Sequence, residues 1–406
     1  MTRRIAVVGG GIAGLAAAGF LRRAGLDVTV YEQASRLTEV GAGIVVTPNA
    51  ARLLRRLGGF ERFEDRAVPL EVGWEFRRWQ DGRVLFSQRL GADCARLYGE
   101  QCYTAHRADL LDILAAAVPE SALRLGSRCV AVSRRADHAE LGFADGSAAA
   151  ADVVIGANGL HSVVRDAVVS TSPPSFSGIC AYRSLVPACR APGFARRPVQ
   201  TLWLGPGRHL VHYPISAGRY VNVVALTPAG DWTVESWTAE GSVEDLRAEF
   251  AGWDPQLTAL LAAAERTGRW ALLDRGPLPR WTSGPIALAG DAAHAMFPFL
   301  AQGAAQAIED AAVLAGCLAE DRSDPAAALS RYESIRKPRT TRVQMISHQR
   351  QHVNHLPDGP EQRARDAAFA GEDPLAHNAW IYGHDAQQPF AGRTGSPRRA
   401  KARRRP

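Results

Sequence analysis

The run Gly9-Gly10-Gly11-Ile12-Ala13-Gly14 confines the start of this 406-residue chain to one local geometry, a strand turning sharply into a helix. Ile5 to Val8 is a short, β-branched run fit for a buried parallel strand. Leu15 to Arg23 follows at helical spacing, Gly25 stops it, and Val28-Thr29-Val30-Tyr31 forms a second strand ending at Glu32. Each position has a physical reason. Gly9 permits the tight turn, Gly11 lets backbone amides approach a pyrophosphate, and Gly14 lets helix and strand pack closely. The helix start then offers free N–H groups and a positive dipole end to the phosphates. Glu32 can accept hydrogen bonds from the ribose hydroxyls of an adenosine. A strand–helix turn of purely structural purpose would need no acid some twenty residues further on.

A second glycine turn stands far downstream. Ile286-Ala287-Leu288-Ala289 reads as a buried strand, and it ends at Gly290-Asp291-Ala292-Ala293-His294. An aspartate just past a strand can bind sugar or ribityl hydroxyls. After Phe297-Pro298-Phe299-Leu300-Ala301 comes a helical stretch from Gln302 to Leu318. Backbone amides around Gln302-Gly303 at that helix start can face a flavin ring edge and favour its anionic reduced form. A cofactor long enough to need both turns points to FAD rather than NAD.

The middle of the chain is less regular. His106 to Leu114 reads as a helix with Arg107 in its first turn, and Asp145-Gly146-Ser147 marks a hairpin between short strands. Asp152 to Gly156 is a buried strand leading into Ala157-Asn158-Gly159 and on to Arg165. From about Ser177 to Thr227 the pattern turns β-rich, with Gly205-Pro206-Gly207 as a hairpin turn. Side chains alternate on a strand, so His209, Val211 and Tyr213 share one face and Leu210 and His212 the other. A histidine and a tyrosine on one side of a sheet can flank a bound aromatic ring, whereas either alone reads first as a satisfied, half-buried polar residue.

Composition removes other classes. The formal net charge of +7 comes from the end of the chain, where seven basic residues and no acid follow Ala391. Without them 41 basic residues face 41 acidic ones, so a nucleic-acid partner is not expected. The tail reads as a disordered, solvated terminus, the rival reading being contact with nucleic acid or another anionic surface. Six scattered cysteines form no CxxC pair, which argues for reduced thiols, no metal and a cytoplasmic location. The apolar run from Ile5 to Leu21 is broken by five glycines in a nucleotide-binding pattern, which argues against a signal peptide. No other stretch is long and apolar enough to span a membrane.

With these residues in view, the chain resembles the single-component FAD-dependent aromatic hydroxylases, the family of para-hydroxybenzoate hydroxylase, in its salicylate hydroxylase and 6-hydroxynicotinate 3-monooxygenase branch. The likeness runs from Arg4 to about Ala386 and rests on three ordered motifs: Gly9–Gly14 with Glu32, Ala157–Arg165, and Gly290–Gln302. Gly41-Ala42-Gly43-Ile44, His106-Arg107, Tyr182 to Pro187 and Trp380-Ile381-Tyr382-Gly383 add to it. The resemblance implies an α/β fold: a Rossmann-like FAD-binding domain with an inserted β-sheet substrate domain and a C-terminal helical region. The FAD-binding domain is expected from residues 1–70, 100–170 and 280–325, and the substrate domain from 71–99 and 171–279. Residues 326–390 would be the helical region and 391–406 the basic tail.

The resemblance also implies roles. Glu32 would bind the adenosine ribose, Arg107 the pyrophosphate–ribityl region, and Asp291 the ribityl chain or its phosphate. Pro298 and the Gln302-Gly303 backbone would border the isoalloxazine. His209 and Tyr213 match the pair near the substrate hydroxyl, with His209 as general base and Tyr213 relaying or orienting the proton. NADH or NADPH would reduce FAD transiently, and a C4a-hydroperoxyflavin formed with O2 would hydroxylate a hydroxybenzoate-type or hydroxypyridinecarboxylate-type acid, with or without loss of CO2. The protein would be a monomer or homodimer. Three positions depart from the family pattern: Asn158 where aspartate is usual, Ala295 for a frequent proline, and Ala305 for a frequent asparagine. The rival readings are the same flavin chemistry on a larger isoprenoid, purine, quinolone or polyketide, and a flavin oxidase that inserts no oxygen.

Overall fold

The computed structural model describes residues 3–37, 42–170, 173–232, 234 and 239–391. Gly41 and the basic tail beyond Ala391 lie outside the described residues. Strand Arg4–Val8 lies inside a six-stranded sheet, paired in parallel with Asp27–Tyr31 on one side and Val153–Gly156 on the other. Ile286–Leu288 extends the parallel set beyond Val153–Gly156, Leu123–Arg124 flanks Asp27–Tyr31, and Thr282–Ser283 closes the other edge antiparallel. Chain order reverses across Arg4–Val8, so the crevice beyond the ends of Arg4–Val8 and Val153–Gly156 is where a doubly wound sheet binds its ligand. The Gly9 turn and Ala157-Asn158 both open there.

Close approach explains the glycines. Gly9 has φ +109, and a Cβ on it would lie 2.5 Å from the Ala157 carbonyl oxygen. A Cβ on Gly14 would drive into the Gly9 carbonyl oxygen, whereas one on Gly11 would meet no protein atom within 4 Å. Gly14 therefore fixes the contact between turn and helix, and Gly11 leaves an open face. Gly14→Ala is expected to cost about 1–3 kcal/mol through overpacking and to weaken FAD retention, read by chemical denaturation and bound-flavin absorbance. The helix Ile12–Arg23 buries ten of its twelve residues against this sheet and the helix Gly303–Glu320.

A second, eight-stranded sheet is built from Val72–Arg78, Val84–Arg89 and the strands between Ser175 and Asp274. At its centre, Arg208–Ile215 pairs antiparallel with Val199–Gly205 and Tyr220–Pro228. One face carries its own core, with Trp203, Leu210, Val221 and Val223 packed against Leu246, Phe250 and Leu257. The other face looks toward the crevice of the parallel sheet. The C-terminal helices Pro325–Asn354, Pro360–Gly371 and Ala379–Tyr382 follow.

Candidate active site

A cavity of about 570 Å³ lies between the two sheets, a size suited to a small ligand site. Gly9, Gly11, Glu32, Arg107 and Asn158 line its parallel-sheet side, and Asp291, Pro298 and Gly303 continue that wall. The opposite wall is one face of the eight-stranded sheet. Arg183, Val224, Val211 and Leu202 stand in register across four adjacent strands, and all four line the cavity. His209 and Tyr213 flank Val211 on its strand and line the same wall. Strand alternation sends Leu210 into the core behind.

Local chemistry holds each group. The Glu32 carboxylate accepts from Gly10 N at 2.6 Å and from Ala34 N at 2.8 Å, which anchors the acid beside the glycine turn. Arg107 begins the helix Arg107–Ala116, whose preceding His106 ring accepts from Ala108 N. Asn158, the departure from aspartate, accepts from Ser162 Oγ at 2.5 Å, and Ser162 caps the next helical turn. Strand Gly43–Val46 approaches Tyr213 closely enough that a Cβ on Gly43 would lie 2.7 Å from its ring and 2.5 Å from Asn222.

Two expected residues are placed differently from the rest. Gly14 lies beneath the turn and does not line the cavity. Gln302 also stays out of the wall. Its side chain turns into a buried network, donating to Thr47 Oγ1 at 2.9 Å and accepting from Asn49 Nδ2 and Gln306 Nε2. The backbone of Gln302-Gly303 is left as the part available to a ligand.

That network continues into a group the sequence reading missed. Gly290 N donates to Asp310 Oδ2 at 3.0 Å, and the His294 ring meets the same oxygen at 2.5 Å, so Asp310 pins the Gly290–His294 turn from below. Arg336, on the long helix Pro325–Asn354, donates through Nε to Asp310 at 2.8 Å and through Nη1 to Glu309. Arg339 adds two bonds to Glu309. Burial alone would raise the Glu309 pKa, but Arg336 and Arg339 overrule it and hold it at about 2. A depressed carboxylate stabilises the fold above its unfolded pKa and loses that contribution as pH falls through the folded one. Denaturant midpoints are therefore expected to fall between about pH 4.5 and 2, by on the order of 3 kcal/mol of stability from Glu309.

The catalytic candidates also have an unanticipated neighbour. His209 Nδ1 lies 2.7 Å from Nε2 of His355, the residue ending the helix Pro325–Asn354. Burial, and then His355, pushes the His209 pKa well below 6.5; burial and Arg208 take His355 down to about 4. Both rings are therefore neutral near pH 7. Burial raises the Tyr213 hydroxyl, with Arg183 pulling the other way.

A glycine cradle open at Gly11, an anchored acid at Glu32 and a second turn at Gly290-Asp291 fit an extended dinucleotide across the parallel sheet. The model of the FAD-binding-domain family matches residues 2–347. The chain belongs to this family of FAD-dependent monooxygenases. It is 45% identical over 386 residues to a 3-amino-4-hydroxybenzoate 2-monooxygenase of Streptomyces platensis, covering 94% of this chain and 96% of the relative. It is 37% identical over 349 residues to the 6-hydroxynicotinate 3-monooxygenase of Pseudomonas fluorescens, covering 85% and 90%. Among solved structures, a salicylate hydroxylase substrate complex superposes with TM-score 0.80 at 28% identity, over 95% of this chain and 96% of that one. Klebsiella pneumoniae HpxO, solved with FAD and uric acid, gives 0.81 at 28%, over 97% and 98%. Among the described residues no helix is long and apolar enough to cross a membrane, and no group of histidines, cysteines and acids is arranged to hold a metal.

Proposed function

We propose that this FAD-dependent monooxygenase hydroxylates a small benzoate bearing a hydroxyl or amino group, with 3-amino-4-hydroxybenzoate as the leading candidate. The observation that carries the reading is the sheet wall of the cavity, where Arg183, Gln200, His209 and Tyr213 surround an apolar strip. A cation suits a carboxylate, and the strip of Leu202, Val211 and Val224 suits a ring face. Among the described residues Gln200 Oε1 is buried without a hydrogen-bond partner, and an amino or hydroxyl donor on the ring would satisfy it.

FAD, held by the glycine turn, Glu32, Arg107 and Asp291 and reduced by NADH or NADPH, would supply the activated oxygen. The residues around it position the ring and manage its proton. Attack needs an electron-rich carbon; an amino group creates one through its nitrogen lone pair, and a ring hydroxyl does so as its proton departs. Neutral His209 is the group able to accept that proton, and Tyr213 orients the donor. In 3-amino-4-hydroxybenzoate the amino group enriches carbon 2, which carries hydrogen, so the carboxylate is retained.

Mass spectrometry of the product formed under isotopically labelled O2 tests this directly. One labelled oxygen added to an intact carboxylic acid is expected; loss of CO2, or absence of label, would overturn it. Gln200→Met should erode the preference for 3-amino-4-hydroxybenzoate over 4-hydroxybenzoate by about tenfold in kcat/KM, as loss of one matched hydrogen bond does. An unchanged ratio would remove Gln200 from recognition.

A further inference from the structure

We propose that His355 is the second member of a proton wire, taking the substrate's proton from His209 and delivering it to solvent. The inference rests on the reading of His209 as the group that accepts that proton. Its basis is geometric. His209 Nδ1 is committed to His355 Nε2 at 2.7 Å, the ring centroids lie 4.9 Å apart, and Nε2 is the polar atom His209 has left for the cavity. His209 lines the cavity and is 3% exposed; His355 does not line it and is partly exposed. The pair therefore spans from the substrate chamber to the protein surface.

Its surroundings favour transfer over storage. The Phe299 ring packs edge-on to both imidazoles. Arg208 acts on His355 and is itself paired with Glu249, while Arg183 and Tyr213 stand on the cavity wall with His209. Among the described residues no carboxylate is bonded to either ring, so an imidazolium has no counter-ion in the pair. A buried ring that resists charge is a poor resting place for a proton but a good conduit between neutral tautomers. As the substrate O–H proton moves to His209 Nε2, the proton on Nδ1 moves to His355 Nε2, and His355 releases one to water. The substrate is left deprotonated, His209 stays neutral, and no electrons change hands. The wire runs backward when the product regains its proton, which restores the starting tautomer.

The backbone reinforces this role. Gly207 N donates to the His355 carbonyl at 3.0 Å, tying the hairpin turn before His209 to the end of the long helix. That bond needs no imidazole, so His355→Gln preserves it while removing the relay.

The probe is 4-hydroxy-3-nitrobenzoate, a coloured phenol of the candidate substrate's shape, bound to the FAD-loaded protein and subjected to a stopped-flow pH jump without NADH. In His355→Gln the phenolate band is expected to appear at least about tenfold more slowly while reaching a similar endpoint and with similar probe affinity. A wild-type rate in His355→Gln beside a slowed His209→Gln would overturn the wire and leave His209 acting alone. Wild-type rates in both variants would overturn the wire and the role of His209 together. A proton inventory in mixed H2O and D2O on the unaltered protein guards against a variant that fails to fold. A dependence steeper than linear, the three transfers moving together, is expected, and a linear one would contradict the wire.

Discussion

Replacing His209 with alanine is expected to lower product formation by about 10²–10⁴-fold, the range associated with losing a positioned acid–base group, while FAD stays bound. The separation follows from the architecture. His209 stands on the eight-stranded sheet, whereas Gly9, Glu32, Arg107 and Asp291 belong to the other wall of the cavity. The variant should also have a distinctive pH profile. Its deficit should shrink at alkaline pH for phenolic substrates, because a hydroxyl with a pKa near 10 then ionises without help. Rapid-quench product analysis with flavin absorbance reads both effects. Unchanged product formation would remove His209 from the mechanism, and loss of flavin would show that it serves the fold.

Arg336→Met is expected to destabilise the fold strongly. Arg336 is 1% exposed and bonds both Glu309 and Asp310, each fully buried. Methionine fills similar space but leaves the Asp310 carboxylate with His294 and Gly290 N, and Glu309 with Arg339 and Asn49. Breaking a buried ion pair by deleting one partner typically costs about 3–5 kcal/mol. The loss should reach FAD as well, because Asp310 holds the Gly290–His294 turn that presents Asp291. Arg336→Lys should recover little, since one ammonium cannot reproduce a fork that bonds Asp310, Glu309, Gln306 and Thr340 together. Denaturant unfolding and flavin content after gel filtration measure the two consequences. A variant of wild-type stability that keeps its flavin would show the network to be dispensable.

What could be read from the chain alone follows from range. The Gly9–Gly14 turn, its strands and Glu32 lie within thirty residues, and local spacing states their geometry. The same is true of His209 and Tyr213, which strand alternation alone puts on one face. Arg336 and His355 were illegible for the opposite reason. Arg336 meets partners 26 to 30 residues away, and His355 meets His209 across 146. On a helix as polar as Pro325–Asn354 an arginine reads as solvated. A signal was nevertheless present: Leu329, Tyr332, Arg336, Thr340, Val343 and Ser347 recur at steps of three and four, and all are buried. A stripe mixing apolar and polar residues at that spacing marks a face packed against a polar interior. For Gln302 the motif located the backbone but not the side chain, whose direction is set by Thr47 and Asn49 from a distant segment and by Gln306 one turn along its own helix.

The measurement that tests the central claim most directly is NADH and NADPH oxidation by the FAD-loaded protein in air, with and without a panel of hydroxylated and aminated benzoates and pyridinecarboxylates. Strong stimulation by a small aromatic acid, 3-amino-4-hydroxybenzoate foremost, with one hydroxylated product formed per nucleotide oxidised, is the expected result. An FAD-loaded protein that no member stimulates, or one that oxidises a panel member without consuming NADH or NADPH, would contradict it.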